Sequence, residues 1–454
     1  MRELSTIARH ALTVLAGQLA VMAFGVTDTI VAGRYAQEAL AALSIGSAVF
    51  VSVYVALMGV LQALMPVWAE QRGANARAAI GVSLRQSLYL WALATVLGMA
   101  VLLSPGPILD WTEVPPELRG AVRDYLAILA FGLPPALLFR IYSTLNQALG
   151  HPQLVTWLQV GSLVVKLPLS IWFTFGGAGL APQGVAGCAW ATLVVNFGLA
   201  LVAVVMLRRH PMYEPLALWR PLERPDAAQL GHFLRLGLPA GLSILVEVTS
   251  FTLMALFIAR QGALASAAHQ IASNLAAVVY MVPLSLAIAT SARVSYWRGA
   301  GDERLAGTTA LKGFWLAALM GITLAATLLI VREPVAALYS TSADVVALAS
   351  ALLVWVAAYH AADALQTLCI FVLRSYRITI APLVIYGVLL WGVGLYGGYR
   401  LAYHGWAGMA PMHSPAPFWM ASAAALALTA LAFTALLLAV VRLHRRREAP
   451  TKLA

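Results

Sequence analysis

Long apolar runs alternate with short polar stretches along the whole chain, without the two-residue alternation of half-buried strands. A helix needs roughly 20 residues to cross the ~30 Å hydrocarbon core of a bilayer. Twelve runs are that long, and the pattern therefore predicts an all-α integral membrane protein with twelve transmembrane helices. These runs lie near residues 8–33, 40–69, 78–103, 120–148, 153–175, 184–208, 233–259, 264–296, 308–331, 344–373, 378–402 and 417–441.

Four prolines within the apolar runs are predicted bend points, because proline removes one helical hydrogen bond. They are Pro168, Pro239, Pro283 and Pro382.

Composition supports the membrane assignment. Of 454 residues, 61% are hydrophobic and only 10% are charged, and the mean hydropathy is +0.83. Soluble domains carry about 25% charged residues, so a cytosolic enzyme, a secreted domain and a disordered chain are excluded. The two cysteines, Cys188 and Cys369, lie far apart in apolar stretches. We find no metal-ligand cluster, Ser/His/Asp set or glycine-rich phosphate loop in the sequence, and we expect neither enzyme activity nor a cofactor.

Basic residues are distributed unevenly between alternate connections. Twenty-two lie in the two tails and every second loop, and six lie in the remaining loops. The positive-inside rule then places both termini in the cytoplasm. The net charge of +11 reflects this orientation and does not indicate a nucleic-acid partner. The basic tail at 445–447 is expected to lie near anionic lipid headgroups.

The sequence divides into two similar halves. A polar connection near residues 209–230 separates six runs from six, and a shift of 226 residues aligns the segments 34–74 and 260–300 without a gap. We predict an N-terminal six-helix bundle (1–208), a cytoplasmic linker (209–230) and a C-terminal bundle with a basic tail (231–454). Six spans per repeat imply a pseudo-two-fold axis along the membrane normal, with a substrate cleft between the bundles.

Four ionisable residues lie deep within the apolar runs: Asp28, Lys166, Glu247 and Asp363. A charge at this depth costs at least a few kcal/mol, so each is a candidate for function. The alternative is a structural ion pair, such as Asp28 with Lys166. Glu247 and Asp363 fall near the middle of their runs. Two carboxylates in one low-dielectric site would hold a proton or a cation such as Na⁺, which makes them a candidate coupling site.

Several segments resemble the motifs of the multidrug and toxic compound extrusion (MATE) transporters, NorM branch. The order and spacing of the motifs fit over nearly the whole chain. The matching segments are Phe24–Gly33, Leu40–Gly46, Glu247–Phe251, Ala268–Asn274, Met281–Ser285, Arg293–Val294, Tyr359–Gln366 and Leu373–Tyr376.

This resemblance implies a cation-coupled antiporter that exports amphipathic, mostly cationic drugs by alternating access. It implies that Glu247, Tyr280 and Asp363 hold the coupling cation, with the Phe251 ring against it, and that Asp28 belongs to a substrate or proton site in the first bundle. We expect no further cofactor, only H⁺ or Na⁺ as coupling ion, with Na⁺ bound by the two carboxylates. The drug-cleft candidates are Gln270, Ser47, His360 and Tyr359.

The chain departs from the family pattern in its fifth run, where Lys166 and Ser170 stand in a segment that often carries asparagines. Lys166 would neutralise Asp28 and leave coupling to the second bundle. His360, one turn from Asp363, could relay protons or be a hydrogen-bonded structural histidine. We expect a monomer whose partners are drugs and membrane lipids. The alternative function is a MATE-like flippase of lipid-linked or polysaccharide precursors, although such flippases often line the cleft with basic residues.

Overall fold

The structure, a computed structural model, describes residues 2–111, 114–177, 179–405, 408 and 410–448. In these ranges the only β contact is an isolated bridge between Gly177 and Leu180. All other regular structure is helical: α1 (Arg2–Tyr35), α2 (Gln37–Gln62), α3 (Met65–Gly73), α4 (Arg77–Leu103), α5 (Gly106–Trp111), α6 (Pro116–Ala148), α7 (Pro152–Phe175), α8 (Val185–Arg209), a 3₁₀ helix (Pro211–Leu216), α9 (Ala227–Ala259), α10 (Ala263–Gly299), α11 (Glu303–Tyr339), α12 (Ala343–Ser375), α13 (Ile380–Tyr386), a π-helix (Gly387–Tyr396), α14 (Gly397–Tyr403) and α15 (Ala416–Glu448).

Twelve helical segments in the described chain are long and apolar enough to cross a membrane, which confirms the predicted fold class. Each coincides with one of the predicted runs. Two runs are not single regular helices. The run 40–69 is divided between α2 and α3, and the run 378–402 contains α13, the π-helix and α14.

Three of the four predicted bend points lie inside helices, namely Pro168 in α7, Pro239 in α9 and Pro283 in α10. Pro382 differs, because it is the third residue of α13, where its missing N–H removes no intrahelical bond. The irregular geometry instead follows in the glycine-containing π-helix Gly387–Tyr396. Wide turns of this kind often occur at functional sites.

The chain forms two compact units, each with its own core. We call Ala16–Gly241 the first unit; the second unit comprises Leu242 onward together with the segment that ends at Leu15. These units are defined by contacts in the fold, whereas the predicted bundles 1–208 and 231–454 were defined by the sequence repeat. The predicted domain division stays a prediction.

In the first unit, α6 packs against α2, α4 and α8, and the polar linker folds onto α4. The Arg85 guanidinium forms an ion pair with Glu223 and donates a 2.7 Å hydrogen bond to the carbonyl of Ala217. The Gln86 amide bridges the linker backbone at Arg224 and Asp226. The hydrogen bonds from Arg85 lower the pKa of Glu223 to about 2. The segment predicted to be a connection between bundles is thus anchored to the first unit.

The second unit is built around α12, which packs against α10, α11 and α15. The first turn of α1 also belongs to this unit, because Glu3 forms a 2.6 Å ion pair with Arg293 of α10. The side-chain positions of Arg446 and Arg447, and the residues from 449 onward, lie outside the described part of the chain. The predicted contact of the basic tail with lipid headgroups therefore stays a prediction.

Close packing between α7 and α8 requires a glycine. A Cβ atom added to Gly187 would lie 2.5 Å from the backbone of Phe173 and Thr174, whereas one added to Gly198, on the same helix, would meet no atom within 4 Å. We expect Gly187→Ala to destabilise the protein by about 1–3 kcal/mol through overpacking. Gly198→Ala, the matched control, should be neutral or slightly stabilising because alanine favours helix.

Thermal unfolding of the two purified variants in detergent checks this prediction. Equal melting temperatures for Gly187→Ala and Gly198→Ala would contradict the close approach of α7 and α8.

Candidate functional site

Asp28 of α1 and Lys166 of α7 form a buried ion pair in the first unit. The Lys166 Nζ lies 2.8 and 3.0 Å from the two carboxylate oxygens of Asp28 and donates a 2.7 Å hydrogen bond to the Thr192 hydroxyl. Ser170 donates a 3.1 Å hydrogen bond to the same carboxylate. The lysine side chain is fully buried. The predicted ion pair is therefore formed, and it neutralises the charge of Asp28.

Asp28 of this pair lines a cavity of about 470 Å³ within the first unit. Ligand pockets typically have volumes of ≈ 300–1,000 Å³ and mostly apolar or aromatic walls with a few polar groups. The cavity fits that description: its walls include the aromatic residues Phe24, Phe50, Tyr54, Tyr125 and Phe139. Ser47, a predicted drug-cleft residue, also lines it, although its hydroxyl donates to the carbonyl of Ser44.

Asp363 of α12 is the centre of a buried polar cluster in the second unit. Its Oδ1 accepts hydrogen bonds from the Gln366 amide at 2.8 Å and from the Thr367 hydroxyl at 3.3 Å. Its Oδ2 lies 3.3 Å from Nδ1 of His360. Residues three and four positions apart share a helix face, so the α-helical geometry of α12 itself assembles this cluster. The Tyr386 hydroxyl of α13 donates a hydrogen bond to Oε1, the side-chain amide oxygen of Gln366.

Glu247 and Tyr280 approach this cluster from two other helices. Glu247 of α9 interacts electrostatically with Asp363, and Tyr280 of α10 interacts electrostatically with both carboxyl groups. Both side chains are half-buried. Three helices therefore bring two carboxyl groups, a phenol and an imidazole into one region of the second unit.

An aromatic cluster adjoins these polar groups. Phe251, Tyr359 and Trp419 contact one another edge to face, with ring centroids 5.9–6.0 Å apart. Tyr359 also contacts the ring of His360 at 5.4 Å. Phe251 thus lies in an aromatic wall whose edge-to-face contacts stabilise the packing, and a ring–cation contact for Phe251 stays a prediction.

Gln270 is a predicted drug-cleft residue that does not contact the polar cluster around Asp363 in the contacts described above. Its side chain on α10 is exposed, and a role in a drug cleft stays a prediction. Among the described residues, no group of three or more His, Cys, Asp and Glu side chains could hold a metal ion together.

Two buried arginines, Arg140 and Arg374, are among the 22 basic residues that the sequence pattern assigned to the tails and alternate loops. Both lie within helices, Arg140 in α6 and Arg374 in α12, and both are buried. The Arg374 guanidinium lies over the Phe371 ring at 4.5 Å. For Arg140 the available signal was its position inside an apolar run, eight residues before α6 ends at Ala148, whereas Arg374 is the last residue but one of α12 and gave no such signal.

Comparisons with known proteins agree with this architecture. The family model MatE matches residues 14–172 and 239–399. The chain is 38% identical to a probable multidrug resistance protein NorM of Aromatoleum aromaticum, over 95% of this chain and 93% of that protein. It is 34% identical to a probable multidrug resistance protein NorM of Chromobacterium violaceum, over 98% of this chain and 96% of that protein.

Among solved structures, the eukaryotic MATE transporter AtDTX14 matches with a TM-score of 0.86 at 18% identity, over 98% of this chain and 99% of that chain. At that identity, the likeness concerns the fold alone.

The Asp28–Lys166 pair generates a stability prediction. We expect Lys166→Met to lower the free energy of unfolding by about 3–5 kcal/mol, because it leaves a buried carboxylate without its counter-charge. The double variant Asp28→Asn/Lys166→Met should recover much of this loss, since it removes both charges.

Melting temperatures of the wild type, both single variants and the double variant form a double-mutant cycle that measures the coupling. Lys312→Met, at a half-buried lysine of α11, is the control for losing a lysine. If the losses of stability caused by the two single substitutions simply add in the double variant, the result would contradict the pairing of Asp28 with Lys166.

Proposed function

Because the chain belongs to the MatE family, we propose that it works as a drug/H⁺ antiporter whose proton-coupling group is Asp363 of the second unit. The general function, without the coupling ion, follows from the family and the NorM relatives. The protein is an ion-coupled multidrug efflux transporter of the inner membrane with small-molecule substrates, and it is not an enzyme.

The hydrogen-bond partners of Asp363 carry the proposal of H⁺ over Na⁺. One carboxylate oxygen accepts from an amide N–H and a hydroxyl, and the other faces the imidazole of His360. A Na⁺ ion needs oxygen ligands, whereas these groups present hydrogen-bond donors to the carboxylate. An imidazole can both donate and accept a proton through its two ring nitrogens. This donor set fits a proton-binding carboxylate better than it fits a Na⁺ site.

A proton changes the electrostatics of the second unit. Glu247 and Asp363 repel each other when both are ionised, and the repulsion is strong where water is scarce. Binding one proton removes the repulsion and lowers the free energy of the conformation in which the two carboxyl groups are close. If drug binding favours the other conformation, proton entry and drug exit are coupled reciprocally. Tyr280 would stabilise the remaining carboxylate through its hydroxyl.

For the substrate, the cavity of the first unit supports amphipathic aromatic compounds, since its walls are largely aromatic and apolar. The predicted preference for cations finds less support there, because Lys166 already neutralises Asp28. That preference, the monomeric state and the cytoplasmic position of both termini stay predictions. The flippase alternative is less favoured, because the related proteins carry multidrug-resistance names.

Removing the proposed proton site should abolish coupled export. We expect Asp363→Asn to reduce drug efflux at least a hundredfold, because the amide cannot bind and release the proton. Asp344→Asn, at the exposed start of the same helix, is the control and should export at the wild-type rate.

Ethidium or fluoroquinolone efflux is measured from cells or vesicles that contain equal amounts of each folded variant. Wild-type efflux by Asp363→Asn would refute the assignment of the coupling site to this residue.

The coupling ion is tested separately. In proteoliposomes, we expect an imposed pH gradient without Na⁺ to drive drug transport, and a Na⁺ gradient at equal pH to leave it at background. The reverse result would show a Na⁺ antiporter.

His360→Gln should shift the pH dependence of the transport rate relative to the wild type if the imidazole relays protons. An unchanged pH profile would assign this histidine a purely structural role.

A further inference from the structure

Arg140 is a buried cation for which the described residues provide no carboxylate partner. It lies in α6 of the first unit, and only 8% of its surface is exposed. One terminal nitrogen contacts the Met58 sulfur and lies 3.5 Å from the Gln62 amide oxygen, both on α2. Its Nε has no hydrogen-bond partner. A guanidinium has five donors, and this one has weak or missing partners for them.

The guanidinium lines the cavity of about 470 Å³ already described. The stacked rings of Phe50 and Tyr54, with centroids 5.9 Å apart, lie along α2 in the same wall, and Phe139 adjoins Arg140 in α6. An unpaired charge in a low-dielectric wall costs free energy until a counter-charge arrives. The cavity therefore combines aromatic surfaces with one unsatisfied cation.

The other ionic groups of the cavity cancel. Asp28 is the acidic residue in its lining, and both of its carboxylate oxygens are held by Lys166. This pair contributes no net charge to the cavity, and the Arg140 guanidinium remains in excess. A purely cationic drug would meet repulsion at Arg140, whereas a carboxylate would receive paired, charge-assisted hydrogen bonds.

From this geometry we infer that Arg140 is a specificity-determining residue that binds the carboxylate of planar aromatic drugs in the first-unit cavity. The substrate class is an aromatic carboxylic acid, with or without an amine elsewhere in the molecule. The inference rests on the proposed export function and narrows it, since it identifies a drug class that the cavity favours over simple organic cations. The aromatic body of the drug would pack against Phe50, Tyr54 and Phe139.

The rival explanation is structural. Arg140 could simply connect α6 to α2 through Met58 and Gln62. In that case its loss would weaken the binding of all drugs alike, because the cavity wall would shift. A carboxylate-binding role instead predicts a loss restricted to ligands that carry the carboxylate, and this difference decides between the two.

The test is equilibrium binding to the purified full-length protein in detergent. The probes are norfloxacin, which has a free carboxylate, and norfloxacin methyl ester, which lacks the charge but keeps the ring system. We expect the wild type to bind the acid about 10- to 100-fold more tightly than the ester, the range for hydrogen bonds to a charged group. Equal affinities, or no binding of either probe, would overturn the inference without any variant.

Substitutions then locate the discriminating group. We expect Arg140→Met to weaken binding of the acid by about 10- to 100-fold and to change binding of the ester less than threefold. Arg140→Lys should restore part of the preference, because it keeps the charge without the paired geometry. The matched control is Arg123→Met, at an exposed position of the same helix, which should leave both affinities unchanged. Parallel loss of acid and ester binding in folded Arg140→Met would establish the structural role instead.

Export is measured separately with the same two probes and with ethidium. Failure of the wild type to export any of them under a pH or Na⁺ gradient would refute the proposed transport function. The binding preference for the acid is measured without a gradient, so its result does not depend on whether transport is observed. If transport operates, Arg140→Met should reduce norfloxacin efflux at least tenfold and leave ethidium efflux within twofold of the wild type. Equal reduction of both would overturn the assignment of Arg140.

Discussion

Every charge within an apolar membrane span needs a partner inside the protein, because the hydrocarbon provides none. An unpaired charge there costs several kcal/mol, so each ionic side chain at depth imposes a demand on its surroundings. This chain contains few such residues, and the polar architecture of both units is organised around them. Helices satisfy the backbone within themselves, which leaves the ionic side chains as the groups whose partners tertiary packing must supply.

The two units meet this demand differently. In the first, Asp28 has a counter-ion in Lys166, with Ser170 and Thr192 completing the hydrogen bonds. In the second, the Gln366 amide, the Thr367 hydroxyl and the His360 imidazole surround Asp363, and no basic counter-ion of the Lys166 kind is among these partners. The two units therefore place their buried carboxylates in different chemical surroundings.

Basic residues show which properties a sequence pattern can predict and which it cannot. Counting arginines in alternate loops predicts the direction of each span, since that rule depends only on the order of residues. The same count treated Arg140 and Arg374 as surface markers, whereas both are buried within helices. The linker was likewise read as a free connection, but Arg85 and Gln86 bind it to α4. A linear pattern cannot reveal the linker contacts, because they join residues distant in sequence.

The sequence by itself determined the twelve spans, the scarcity of charge, and the identity of Asp28, Lys166, Glu247 and Asp363, since hydropathy and charge are local properties. It also predicted that His360 lies one turn from Asp363, which follows from helical periodicity. Only the tertiary structure decided which charges meet. It paired Asp28 with Lys166 across 138 residues and brought Tyr386 to Gln366. Among the described residues, it left Arg140 without a carboxylate partner beside an aromatic cavity. These partners depend on how helices pack, and packing is a property of side-chain shape over the whole bundle.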